Sequence, residues 1–165
     1  MLKLILNKKY NPLFSSDARY FIITGGRGSG KSFAVTVFLT LLTMTKGIRI
    51  LFTRYTMTSA HLSIIPEFLE KIGLLGFDEV FSINKAEVVN TSNQSDILFR
   101  GIRTSAGNQT ASLKSLQGIS TWVLDEAEEL VDENIFDTID LSIREKNIHN
   151  RVVLILNPVT KEHWI

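Results

Sequence analysis

Short apolar runs alternate with longer helical patterns along the 165-residue chain. The runs are rich in β-branched and aromatic residues, which is typical of buried strands. They are Tyr20–Thr24, Ile48–Thr53, Thr121–Leu124 and Arg151–Leu156. Strands that alternate with helices need crossover connections, so this order predicts an α/β fold with a mainly parallel sheet and helices on both faces.

The intervening segments predict three helical regions. Glycine just past a periodic segment marks a helix end, and serine favours a helix start. The regions are Gly30 to about Thr45 before Lys46-Gly47, Ser59 or Ser63 through Ile72 to Gly73, and the acidic stretch after Leu124 up to about Lys146.

The middle of the chain has a different pattern. Val80–Ile83, Glu87–Asn90 and Ile97–Arg100 predict short strands separated by polar turns. Such a meander would add a small antiparallel extension to the parallel sheet. Residues 104–118 are rich in Ser, Thr, Gly and Gln, and we predict a mobile loop there.

Length and composition indicate one globular domain over residues 1–165. The chain has no cysteine, which excludes disulfides and thiolate metal sites. The histidines, His61, His149 and His163, form no ligand motif. No apolar run approaches the ~20 residues of a membrane span, so no membrane association is expected. Because Ile165 closely follows the last predicted strand, we expect a piece of a longer protein.

Charge is unevenly distributed although the net charge is only +1. Residues 1–54 contain nine Lys and Arg and one acid, Asp17, whereas residues 125–145 contain nine of the seventeen acids. The basic part fits a phosphate site, and it also leaves a nucleic-acid-binding face open.

One motif points to a specific chemistry. The segment Gly25-Gly26-Arg27-Gly28-Ser29-Gly30-Lys31-Ser32 matches G-x-x-x-x-G-K-[ST] between a predicted strand and a predicted helix. Its backbone N–H groups and the helix N-terminus can surround phosphates. Lys31 would bind phosphate oxygens, and Ser32 would bind Mg²⁺. The motif therefore predicts binding of ATP with Mg²⁺.

Two acids follow the predicted strand Thr121–Leu124. Ligands bind at the carboxyl ends of strands in open α/β sheets, so Asp125 is a candidate Mg²⁺ ligand. Glu126 is a candidate base for an attacking water. The alternative is that both acids only favour the start of the acidic helix.

Other polar residues have two interpretations each. Arg27 lies within the phosphate loop and could stabilise the transition state in the same chain. Arg54, Arg100 and Arg103 could do so for a neighbouring subunit, or they could be surface or DNA-contacting residues. Asn157 ends the last strand and could sense the γ-phosphate, or Asn157-Pro158 could be only a turn.

In order, the segments "GGRGSGKS", "VLDEAEEL" and "LNPVTKEHWI" resemble the ATPase domain of the large terminase subunit of tailed bacteriophages. The resemblance runs from about residue 15 to the end. It implies a P-loop NTPase of the RecA/ASCE-like type. It also implies ATP hydrolysis that powers translocation of double-stranded viral DNA into the procapsid, in the host cytoplasm.

The resemblance also assigns roles. Catalytic residues would be Glu126, Arg27 and Lys31; the nucleotide would be bound by residues 25–32 and Asn157; the metal ligands would be Ser32 and Asp125. Tyr10–Phe14 would be the adenine-contacting segment. Partners would be DNA, the terminase small subunit, the portal protein and further copies in a ring. No nuclease activity is expected from residues 1–165.

Two other functions remain open at the level of sequence. A nucleotide or small-molecule kinase uses the same loop but does not need Glu126. An assembly module would bind ATP without hydrolysing it.

Overall fold

The computed structural model describes residues 4–57, 60–104, 107–158 and 161–165. Its strands are β1 Tyr20–Thr24, β2 Arg49–Thr56, β3 Phe81–Ile83, β4 Glu87–Asn90, β5 Asp96–Thr104, β6 Gly107–Asn108, β7 Thr121–Asp125 and β8 Arg151–Leu156. Its α-helices are α1 Pro12–Ser15, α2 Lys31–Leu42, α3 Ala60–Leu75, α4 Thr110–Lys114 and α5 Glu133–Asp140. Short 3-10 turns lie at Lys8–Tyr10, Asp78–Val80 and Ala127–Glu129.

The strands form one sheet in the order β1-β8-β7-β2-β5-β4-β3, and β6 pairs with β5. The neighbours β1, β8, β7, β2 and β5 pair in parallel, whereas β5, β4 and β3 pair antiparallel. The mainly parallel sheet and its antiparallel extension are therefore confirmed. β8 lies between β1 and β7, so the segments that follow these three strands are neighbours.

Side chains that alternate along the central strands fill two separate cores. Val123 of β7 joins the core under α2 and α3, together with Phe38 and Phe68. Trp122 and Leu124 join the opposite core, which α4 and α5 cover. Helices on both faces are thus confirmed, and they explain why all five residues of β7 are buried.

The predicted helix ends were wrong by a few residues. α2 ends at Leu42, before the predicted Thr45, and the Thr43 hydroxyl donates to the Thr40 carbonyl at 2.7 Å. α3 begins at Ala60, and the alternative start at Ser59 lies outside the described residues. It continues past Gly73 because the left-handed Gly76 (φ 72°) closes it, with Gly76 N–H donating to Gly73 O at 3.0 Å.

The sequence predicted a helical region up to about Lys146, but the structure does not have one continuous helix there. After a 3-10 turn, α5 begins where the Asp132 side chain accepts from Asn134 N–H, and it ends at Asp140. The Arg19 guanidinium donates to the carbonyls of Asp140 and Ile143 at 3.2 and 3.1 Å. These long-range bonds tie down the chain after α5, which its local pattern does not reveal.

The predicted loop over residues 104–118 was also wrong in part. β6 and α4 lie within it, and Leu113 of α4 is buried against the core. Residues 105 and 106 lie outside the described part of the chain. None of the helices in the described ranges combines the length and the apolar character needed to cross a membrane.

The aromatic cluster beneath α3 gives a test of this packing. Phe68 is fully buried, and its ring centroid lies 5.8 Å from that of Phe52 and 5.3 Å from that of Phe99. We expect Phe68→Ala to lower the free energy of unfolding by about 3–5 kcal/mol because it leaves a cavity. The control is Leu69→Ala at an exposed position of the same helix, with a change within about 0.5 kcal/mol. Urea denaturation measures both, and equal losses would contradict the packing described.

Candidate functional site

The loop from Gly25 to Ser32 joins β1 to α2 with a backbone that depends on glycine. Gly30 precedes α2 in a left-handed conformation (φ 82°) that disfavours other residues. A Cβ at Gly25 would lie 3.0 Å from Ser29 Oγ. The loop therefore folds tightly and directs the first N–H groups of α2 outwards.

Lys31 bends back over this loop. Its Nζ donates to Gly25 O, to Gly26 O at 3.2 Å and to Asn157 Oδ1 at 3.2 Å, and the residue is buried. All three acceptors are neutral. A phosphate oxygen would be a stronger partner because its negative charge adds the attraction of opposite charges to the hydrogen bond.

A pocket of about 340 Å³ opens over the loop. It is lined by Arg27, Gly28, Ser29, Gly30, Lys31, Ser32, Phe33, Arg54, Asp125, Glu126, Glu128, Ile155, Leu156 and Asn157. Ser29 Oγ is buried here without a hydrogen-bond partner. An orphaned hydroxyl, a buried ammonium and a helix N-terminus together fit an oxyanion ligand such as a phosphate chain.

Ser32 and Asp125 meet at this pocket from different elements. Ser32 is exposed in the first turn of α2, and Asp125 is the buried last residue of β7. Both also line a smaller cavity beneath the pocket. A hydroxyl and a carboxylate are oxygen ligands of the kind that Mg²⁺ prefers beside bound phosphates. The donor set therefore fits Mg²⁺ together with a phosphate ligand.

Arg54, near the end of β2, forms ion pairs with both Asp125 and Glu126. Its Nε and Nη2 lie 2.8 and 2.6 Å from Asp125 Oδ2, and its Nε lies 3.6 Å from Glu126 Oε2. The parallel register of Thr53 with Leu124 brings these residues together. A metal ion that uses the same Asp125 oxygen would have to compete with the guanidinium. Action of Arg54 on a neighbouring subunit would require it to leave both carboxylates.

Glu126 has an unusual backbone. Its φ and ψ of 54° and 45° are left-handed, a conformation that costs a residue with a side chain about 1–3 kcal/mol. Burial raises the pKa of its carboxyl, although the nearby Arg54 acts in the opposite direction. The strained bend turns the chain away from β7 and brings the Glu126 side chain to the pocket.

Asn157, which follows β8, is held from both sides. Lys31 binds its oxygen, and its Nδ2 donates to Glu128 Oε1 at 2.6 Å. The backbone carbonyl of Glu128 lies 3.1 Å from His163 Nε2, and Trp164 Nε1 donates to Leu130 O at 2.6 Å. The terminal segment 161–165 thus packs against the turn that carries the acids.

The segment Tyr10–Phe14 packs beside the phosphate loop. The Tyr10 hydroxyl donates to Ser29 O at 2.9 Å, and Phe14 packs edge-on against Phe38 of α2. A second pocket, of about 450 Å³, lies between this segment and β1. Contact with adenine stays a prediction.

The remaining arginines differ in position. Arg27 is exposed and lines the first pocket. Arg100 donates to Phe99 O at 2.7 Å and to Ala86 O at 3.2 Å, at the antiparallel extension, and neither it nor Arg103 lines that pocket. Their action on a neighbouring subunit stays a prediction.

Two acids near the pocket were missed by the sequence reasoning. Glu128 lines it, and Glu67 of α3 lines the smaller cavity beneath it with Ser32 and Asp125. Glu128 lies in the segment "VLDEAEEL", but only Asp125 and Glu126 directly follow the predicted strand, and only they were given roles. Glu67 belongs to no sequence motif, and only the packing of α3 brings it to the cavity.

Glu67 generates a prediction on pH. Burial raises the pKa of its carboxyl, and the attraction of Lys71 offsets this only in part. The folded protein therefore retains this proton to higher pH than the unfolded chain, and the contribution to stability is lost as pH rises through the raised pKa. We expect Glu67→Gln to raise the melting temperature at neutral pH and to have little effect below the ordinary glutamate pKa.

Calorimetry across pH measures this effect. The matched control is Glu70→Gln, because the Glu70 carboxylate is exposed and bonded to Lys71 at 2.7 Å. A gain at neutral pH for Glu70→Gln, or none for Glu67→Gln, would contradict the burial of Glu67 described.

The pair Arg54–Asp125 generates a prediction on coupling. We expect a double-mutant cycle of Arg54→Ala and Asp125→Asn to give an interaction energy of about 1–3 kcal/mol in unfolding. The control pair Arg49–Asp96 should give less than about 1 kcal/mol, because Arg49 is 42% exposed and Arg54 only 24%. Denaturant unfolding measures both cycles, and the reverse order would show that Arg54 is not held by Asp125.

Comparisons with solved structures agree with the fold. A large terminase from a thermophilic bacteriophage superposes with a TM-score of 0.76 at 11% identity, over 98% of this chain and 41% of that one. Further structures of that terminase are complexes with ADP and with ATP-γ-S. The N-terminal domain of the DNA packaging ATPase from bacteriophage phi29 superposes with a TM-score of 0.68 at 16% identity, over 96% of this chain and 82% of that one.

Sequence comparison identifies the family. The terminase large subunit of Bacillus phage SPP1 is 24% identical, and the match covers 82% of this chain and 34% of the relative. The chain thus spans about a third of that relative's length. The family model described as phage terminase large subunit matches residues 17–165, and the chain therefore belongs to the phage terminase large subunit family.

Proposed function

We propose that this chain is the ATPase part of a terminase large subunit, which hydrolyses ATP to drive double-stranded viral DNA into a procapsid. The observation that carries the proposal is the single pocket that Lys31, Ser32, Asp125 and Glu126 line together. These residues come from two segments about a hundred positions apart. Their types are those needed for phosphate binding, metal binding and activation of water.

Binding of the phosphates would rest on the loop. The N–H groups at the start of α2 and the Lys31 ammonium would bind the β- and γ-phosphates, and Lys31 would exchange its carbonyl partners for phosphate oxygens. The exposed Arg27 would bind the γ-phosphate and stabilise the charge that develops on it. Tyr10–Phe14 would border the adenine.

Metal binding would rest on Ser32 and Asp125. When bound there, Mg²⁺ neutralises charge on the β- and γ-phosphates. Both hydrogen bonds of Arg54 to Asp125 use Oδ2, so Arg54 would have to release this carboxylate only if the metal took that oxygen.

Glu126 would accept the proton of the attacking water. Its raised pKa makes it a stronger base than an ordinary glutamate. Its carboxylate is partly exposed, so water can reach it. A kinase would transfer the phosphoryl group to an acceptor instead, and a binding module would not turn over.

The family supplies the proposed partners. They are double-stranded DNA, the terminase small subunit, the portal protein and further copies of the chain in a ring, in the host cytoplasm. Arg54, Arg100 or Arg103 would act on a neighbouring subunit there. No nuclease activity is expected from residues 1–165.

The test is phosphate release by the wild type and by Glu126→Gln, with and without double-stranded DNA. We expect the substitution to lower kcat by about 10²–10⁴-fold, because the base is lost, and to leave ATP affinity nearly unchanged. Glu129→Gln is the matched control, since Glu129 is exposed on the same turn and does not line the pocket.

Three outcomes would count against the proposal. Full turnover by Glu126→Gln would exclude Glu126 as the base. Phosphoryl transfer to an added small-molecule acceptor would identify a kinase. ATP binding without turnover, with DNA and at concentrations at which the chain oligomerises, would identify a binding module.

A further inference from the structure

The side-chain amide of Asn157 is held between two charged groups. Lys31 Nζ lies 3.2 Å from its Oδ1, and its Nδ2 lies 2.6 Å from Glu128 Oε1. Its two ends thus contact an ammonium on one side and a carboxylate on the other.

The chemistry of these partners fixes which way the amide points. A lysine ammonium can only donate hydrogen bonds, and an ionised carboxylate can only accept them. A flipped amide would set its NH₂ group against the ammonium and its oxygen against the carboxylate. Both contacts would then be repulsive, so the oxygen must point to Lys31 and the nitrogen to Glu128.

This orientation limits what Asn157 can do in the pocket. The atom that faces Lys31 and the phosphate loop is an acceptor. Phosphate oxygens are also acceptors, so this atom cannot bind a γ-phosphate. It can accept a hydrogen bond from Lys31 or from an O–H of water. Sensing of the γ-phosphate by Asn157 would require its amide to leave Glu128 and turn.

Glu128 is well placed to hold the amide. Its Oε2 is buried without a hydrogen-bond partner, so the carboxylate has no other strong contact among the described residues. Its backbone carbonyl accepts from His163 Nε2, and the Trp164 indole binds the carbonyl of Leu130. The terminal segment therefore holds the backbone of the turn that carries Glu128.

We propose that Glu128 is a positioning residue that holds the Asn157 amide with its oxygen towards Lys31 and the reacting end of ATP, so that Asn157 orients the attacking water. This inference rests on the proposed hydrolysis at the same pocket. It assigns Glu128 a function separate from that of Glu126, and it replaces the sensing of the γ-phosphate by Asn157 with the orientation of water.

The test uses Glu128→Gln, which keeps the shape but can donate as well as accept, so that both amide orientations become possible. We expect kcat to fall about ten- to a hundredfold, the value of a hydrogen bond to a charged group. KM and the affinity for ATP should stay within about twofold. Glu128→Asp, which can only accept, should recover part of the rate.

A double variant shows whether Glu128 acts through Asn157. In an Asn157→Ala background, the further change Glu128→Gln should no longer lower kcat. Independent, multiplying losses would overturn the proposal. Glu129→Gln controls for loss of one negative charge on the same turn, and melting curves confirm that each variant is folded.

Binding experiments separate the proposal from sensing of the γ-phosphate. If Asn157 donates to that phosphate, release from Glu128 would raise the affinity for ATP-γ-S relative to ADP in Glu128→Gln. We expect the ratio to stay constant, and a rise would overturn the proposal.

A measurement without turnover distinguishes this inference from the proposed hydrolysis. The side-chain NH₂ resonances of Asn157 should be shifted by the charged acceptor in the wild type and should lose that shift in Glu128→Gln but not in Glu129→Gln. Unchanged resonances would overturn the role of Glu128 even if ATP is hydrolysed. Absence of hydrolysis in the wild type, with the shift present, would instead overturn the proposed function.

Discussion

Parallel pairing of β1, β8, β7 and β2 is the constraint on which the pocket depends, because it brings the carboxyl ends of four strands to one edge. Thr24 pairs with Leu156, Asp125 pairs with Ile155, and Thr53 pairs with Leu124. The segments that follow these positions supply the phosphate loop, the amide, the acids and the arginine. A shift of one strand by one residue would turn its side chains to the other face and separate these groups.

Two cations of the pocket, Lys31 and Arg54, already have partners within the chain. Lys31 binds neutral oxygens, whereas Arg54 binds Asp125 and approaches Glu126. A phosphate would compete for the lysine, and a metal ion that used Asp125 Oδ2 would compete with Arg54 for the aspartate. Binding of the proposed ligand would therefore replace existing contacts within the chain. These contacts involve Lys31 of the loop after β1 and Arg54 of β2, so both segments would respond to the same ligand.

Features encoded in short, continuous segments were predictable from the sequence. The phosphate loop and the four main strands are such features, because glycine spacing and apolar runs are local. The end of α3 was not predictable in this way, since Gly76 follows the predicted Gly73 by three residues and the helix closes only where Gly76 N–H donates to Gly73 O. The contact of Arg54 with Asp125 joins residues 71 positions apart, so it depends on strand register. Glu67 reaches the site only through helix packing.

The left-handed backbone of Glu126 has a consequence for evolution in the laboratory. Glycine and asparagine adopt this conformation more readily than glutamate does. A selection for thermal stability alone would therefore favour either residue at position 126 and would remove the carboxylate that we propose as the base. Libraries built to raise the stability of this protein should keep the codon for Glu126 fixed, because the residues with the least backbone strain at this position lack the proposed catalytic carboxylate.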